Sequence, residues 1–179
     1  SAAAAVPAAP EKRTTVERPR QFRAVFSSHG AAPVEFRLLD PQYQVVPPGA
    51  EEDDQGVLSS IFHWFFPSAG TKAKLQQIEL VRPQAAAPPF TTWLSSTGED
   101  YQRSDVALPK DAAWTLESAS ADEIVYSADA GDLHFTKRWR IPQSGYALGL
   151  DLTVENRGAK AVKTHLLVST DTWHDPNVK

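Results

Sequence analysis

The chain has 179 residues, a formal net charge of -4, 41% hydrophobic and 22% charged residues, which suits one globular body with a sizeable core. The acidic balance leaves no basic footprint for nucleic acid, and the absence of cysteine excludes disulfides, thiol catalysis and cysteine-based zinc sites. Fourteen prolines argue against long helices, and no run of about eighteen apolar residues is present to span a bilayer. With no signal peptide and no methionine at all, the chain reads as a piece of something longer.

Residues 1–20 open on Ala and Pro and end on Arg18-Pro19-Arg20. They have no periodic apolar face, which predicts a flexible linker with little fixed structure before Pro19. The folded domain is expected over residues 21–179. Phe22, Ala24 and Phe26 alternate with Arg23, Val25 and Ser27; after a break at His29-Gly30, Val34, Phe36 and Leu38 alternate with Glu35, Arg37 and Leu39. This is a hairpin-like pair of strands. Asp40-Pro41 turns the chain, and Tyr43 to Val46 gives another short strand.

Pro47 to Gly56 reads as a loop. Leu58 to Phe66 crowds Ile61, Phe62, Trp64, Phe65 and Phe66 around His63, in a spacing that fits neither a clean strand nor a long helix and leaves room for one or two helical turns closed by Pro67 and Gly70. Strand character resumes at Gln76 to Arg82 and Phe90 to Leu94. It returns at Trp114 to Leu116 and Glu123 to Ser127.

The C-terminal third is the clearest part. Leu133, Phe135, Trp139 and Ile141 share one face of a strand, and His134, Thr136, Arg138 and Arg140 share the other. After Pro142 to Gly145, Tyr146, Leu148, Leu150, Leu152 and Val154 alternate with small and polar residues. After Asn156-Arg157-Gly158, Val162, Thr164, Leu166 and Val168 alternate with Lys163, His165, Leu167 and Ser169. Short polar turns imply antiparallel neighbours, so three consecutive strands of a meander are expected here. About ten strands with frequent turns indicate an all-β, large, twisted antiparallel β-sandwich with at most short helices.

These same strands carry a resemblance. Phe135-Thr136-Lys137-Arg138-Trp139-Arg140-Ile141, Gly145-Tyr146-Ala147-Leu148 and Leu152-Thr153-Val154-Glu155-Asn156-Arg157-Gly158 resemble the end of the large periplasmic domain of the YidC/Oxa membrane-protein insertases. That family runs Thr-Lys-aromatic in one strand, a Tyr opening the next, and a V-x-N-x-G turn after it. Phe22 to Gly30 with Phe36-Arg37-Leu38 resembles the domain's first hairpin, and Ile78 to Val81 the strand before its variable middle. Here Gly30 is followed by Ala31-Ala32 where the family usually pairs glycines, and residues 47–74 have no clear counterpart.

The resemblance implies a supersandwich fold, similar to galactose mutarotase and other sugar-binding domains. It implies a soluble module on the periplasmic face of the Gram-negative inner membrane, attached through segments that are not in this chain. Its partners would be Sec translocon components of the SecD/SecF type and nascent membrane proteins, with no nucleic acid and no cofactor. The family's insertion groove lies in its membrane domain, so no residue here inherits that role. The alternative is a carbohydrate-binding or aldose-epimerase-like domain of the same architecture. An epimerase needs a His acid and a carboxylate base aimed at one sugar, and fold likeness does not supply them.

Candidate sites follow from residue pattern. Lys137 lies on the apolar face between Phe135 and Trp139, so it must snorkel, find an acid or line an open groove with Trp139 as a wall. A groove between the sheets is the expected binding site. Arg138 and Arg140 form a basic stripe, read as the wet face of the strand or as a contact for lipid phosphates or an acidic partner. Phe62, Trp64 and Phe65 either cap the sandwich or form an exposed apolar patch. Asp171, His174 and Asp175 have no fourth ligand nearby in sequence, and no metal site is expected from them.

Overall fold

The computed structural model describes residues 10–45, 76–81, 88–97 and 103–170. Among them the fold is all-β, with eleven strands and one turn of 3-10 helix at Pro41–Tyr43. The sheets are antiparallel and make a sandwich-like body, as the alternating patterns imply. No helix among the described residues is long and apolar enough to cross a membrane.

The first layer is a three-stranded sheet of β1 (Arg13–Arg18), β2 (Phe22–Ser27) and β3 (Ala32–Leu38), with β2 in the middle. β1 corrects the expectation of a structureless run before Pro19. Thr14, Thr15 and Val16 are β-branched, and they pair with Phe26, Val25 and Ala24. Val16 is buried, Arg13 and Glu17 stay in water, and Arg18 is partly covered. On the inner face Phe22 stacks on Phe36 of β3, ring centroids 4.9 Å apart. A bulge between Val25 and Phe26 shifts the register before the turn at Gly30-Ala31. Both turn residues have positive φ, 73° and 48°.

Asp40 caps the 3-10 turn by accepting the Gln42 amide at 3.0 Å. β4 (Gln44–Val45) then pairs with β5 (Gln76–Gln77). Glu79 extends that edge by bridging to Arg37 of β3.

β6 (Thr92–Leu94) precedes the second layer, which holds β7 (Thr115–Ala119), β8 (Glu123–Ala130), β9 (Leu133–Arg140) and β10 (Gly149–Asn156) in the order β10-β9-β8-β7. β8 and β9 are joined by Gly131-Asp132, with Gly131 at φ 58° as a two-residue hairpin requires. The predicted alternation in β9 holds: Leu133, Phe135, Lys137 and Trp139 are buried, and Arg138 and Arg140 are exposed.

The layers meet through Phe26 and Trp139, ring centroids 5.3 Å apart, and through one apolar cluster with members in both sheets. Tyr126 of β8 donates its hydroxyl to Thr14 of β1 at 3.4 Å. At the open end, Arg18 donates to Pro142 O at 3.0 Å and Ala121 O at 2.8 Å and pairs with Asp122. Near the other end the β2–β3 turn hydrogen-bonds to the segment leading into β7, Gly30 N to Ala112 O at 2.9 Å and Trp114 N to Ser28 O at 2.8 Å.

The third strand of the expected meander goes elsewhere. β11 (Leu166–Val168) pairs with β6, not with β10. The Asn156 side chain accepts the Gly158 amide at 3.0 Å, and Arg157 N bonds to Asp132 O at 2.8 Å, which turns the chain across the end of β9. Asp105 and Ser104 then capture the Lys163 and His165 amides at 2.7 Å and 2.8 Å. The face assignment also reverses: Leu167 and Ser169 are the more covered residues, and Leu166 and Val168 are exposed.

Candidate functional site

The most unusual chemistry lies where Lys137 meets the facing layer. Its side chain is fully buried, and Nζ donates to Gly30 O at 2.9 Å and Phe90 O at 2.6 Å. Both carbonyls come from residues in the left-handed region, Gly30 at φ 73° and Phe90 at φ 64°. The amine also sits 5.4 Å from the centre of the Trp114 ring and 6.0 Å from that of Trp139. Trp139 is itself held by Nε1 donating to Ala31 O at 2.9 Å, and its ring meets Phe90 edge-on.

Two carbonyls and two indole faces thus surround a lysine that, among the described residues, donates to no carboxylate. Burial lowers its ammonium from the usual 10.5 to about 7. Protonated, the group carries three N–H donors, two for the carbonyls and one toward the rings. Deprotonated, it keeps two, which still match the two carbonyls. The arrangement fits either form and ties β9 to the β2–β3 turn and to the start of β6.

This replaces the expectation of an open groove at Lys137. Trp139 is not the wall of a cleft: it is 1% exposed and Lys137 is fully enclosed. Lys137 solves the problem of an amine on an apolar face by meeting main-chain oxygens in the interlayer core.

Arg138 and Arg140 lie on the opposite, wet face of β9, as expected. Each is matched by a carboxylate on the adjacent strand, Arg138 with Glu123 at 3.3 Å and Arg140 with Asp151 at 2.8 Å. His134 on the same face meets Asp129 at 2.6 Å. The basic stripe is therefore lined on both sides by acids. Phe62, Trp64 and Phe65 lie outside the described residues, as do His63, Asp171, His174 and Asp175.

The His134–Asp129 pair escaped the reading from sequence. The signal was the two-residue turn: with Gly131-Asp132 as the loop, positions whose numbers sum to 263 face each other, and 129 with 134 is such a pair. Asp129 is 70% exposed and the pair sits near a hairpin tip, so it reads as a surface hydrogen bond. The carbonyl partners of Lys137 had no side-chain signature, because any residue type has a carbonyl. Among the described residues no cluster of three His, Cys, Asp or Glu is placed to hold a metal ion.

Compared with protein-family models, curated proteins and solved structures, the chain matches none.

Proposed function

We propose that this chain is the periplasmic domain of a YidC-type membrane-protein insertase, a binding and spacing module that performs no reaction. The observation that carries the reading is where the residues bearing the resemblance sit. Lys137 and Trp139 reach across to the turn of the first hairpin. Tyr146 donates to Asp40 at 3.1 Å and packs edge-on against Tyr43, joining the second layer to the segment after β3. Asn156 and Gly158 form the turn that sends the chain away from the sheet. Lys137, Trp139 and Tyr146, three of the residues that carry the resemblance, also carry contacts between the second layer and the first hairpin or the segment after it, and this supports the reading.

In this reading the domain stands above the membrane, touching Sec components of the SecD/SecF type or emerging chains, and the chemistry of insertion belongs to helices outside it. The complete reading frame tests this. One hydrophobic span before the domain and five after it would support the proposal; a frame with none would refute it. Calorimetric titration with galactose and glucose tests the alternative, for which a saturable heat is the expected signature.

A further inference from the structure

β10 is an edge of the second layer, and among the described residues no strand pairs with its outer side. Edge strands that must stay single are normally blunted by charge, proline, bulges or shortness. Two other edges, β1 and β7, follow that rule. β1 carries Arg13, Glu17 and Arg18, and β7 is short, fully exposed and bulged between Leu116 and Ser118. β10 has eight residues, no bulge in its pairing with β9 and no proline, and its two charged residues, Asp151 and Glu155, are both acidic. Its inner-facing row is Leu150, Leu152 and Val154, the first two half-buried and Val154 41% exposed.

We infer that β10 is a self-association edge, pairing antiparallel with β10 of a second copy to join two four-stranded sheets into one. A twofold axis perpendicular to the sheet keeps each face on its own side, so the axis must pass through a residue and not between two. The sequence then selects the register. Centring on Asp151 opposes two aspartates, and centring on Thr153 opposes Asp151 to Glu155. Centring further out leaves a shorter strand overlap. Centring on Leu152 opposes Leu152 to itself, Leu150 to Val154, Asp151 to Thr153 and Gly149 to Glu155.

That last pair supplies the charge match. Arg140 is the in-sheet neighbour of Gly149, and it lies over it: a Cβ placed at Gly149 would sit 3.4 Å from Arg140 Nε. The missing side chain at Gly149 leaves the guanidinium, which meets Asp151 at 2.8 Å, at the sheet edge; Glu155 of the second copy, which holds its own Arg157 at 3.0 Å, would arrive beside it and close a network of alternating charges. The twofold makes this contact twice.

Sedimentation velocity on the 179-residue chain is expected to show a concentration-dependent dimer. Glu155→Arg should weaken it about tenfold at low salt, since two exposed charge pairs turn repulsive. Adding Arg140→Glu to that variant should restore it. The chain lacks cysteine, so Leu152→Cys introduces a unique thiol placed opposite itself. Mild oxidation should cross-link it, while Thr136→Cys on β9 should still associate but form no covalent dimer. A monomer at every concentration would overturn the inference. So would a dimer indifferent to the charge changes, or one that cross-links through position 136 and not 152. Circular dichroism of each variant establishes that it is folded before its association is read.

Discussion

Replacing Lys137 with methionine isolates the interlayer amine. The folded ammonium is lowered to about 7 from 10.5, so between these values the unfolded chain binds more protons than the folded one. Stability therefore rises as pH increases through this window. Below about pH 7 both states are protonated and the contribution levels off at its least favourable value. The full difference corresponds to about 5 kcal/mol, of which about 3 kcal/mol falls between pH 6.5 and 9.5. Burial raises the Tyr126 phenol from its usual 10.0, but the parent and the variant share that group, so it cancels in their difference. Methionine removes the titration but leaves Gly30 O and Phe90 O without their donor, a loss of about 1–3 kcal/mol each. Urea unfolding of both proteins at half-unit pH steps gives the difference directly. The variant should be destabilised at pH 9.5 and close to the parent at pH 6.5, with the gap changing by about 3 kcal/mol. Other groups titrate alike in both proteins and cancel. A gap that changes by less than about 1 kcal/mol would mean that the buried amine keeps an ordinary proton affinity, refuting the reasoning.

Arg18→Ala should cost about 2 kcal/mol in urea unfolding, because a charged donor to two carbonyls is lost where the layers meet. Trp139→Phe keeps a ring against Phe26 but abandons Ala31 O, and should cost about 1–3 kcal/mol by the same assay. Ala31→Gly should stay within about 1 kcal/mol of the parent, because relief of the positive φ offsets the lost methyl and the added chain entropy. Ala24→Gly, equally buried in a regular strand, should cost about 1.5 kcal/mol with no such relief; equal losses at the two positions would contradict the argument.

The fold class was legible because one face of most strands is packed and the other is wet. β9 shows this best, with its buried and exposed residues falling where alternation put them. β1 was hidden because its charged ends and flanking prolines outweighed three β-branched residues that have only Val16 to bury. The partner of β11 was hidden for another reason. Alternation at residues 162–168 signals a strand but does not say what it pairs with, and the choice is made by Asp105, Ser104 and Asp132 from distant parts of the chain. At the candidate site the oddity of Lys137 was visible in its parity. Its solution was not, since backbone carbonyls turned inward by two left-handed residues leave no pattern in side-chain types. The ion pairs of Arg138 and Arg140 follow from register, which the two-residue turn at Gly131-Asp132 determines for β8 and the packing of alternate faces determines for β10.

The central functional claim is that this sandwich works by contact at the periplasmic face of a membrane. Photo-crosslinking from benzoylphenylalanine, placed in turn at exposed positions of every strand of the protein in its native membrane, tests it most directly. The account predicts adducts with a SecD/SecF-type partner or with emerging membrane proteins at a contiguous set of positions. Folded protein that yields no such adduct from any strand would contradict it.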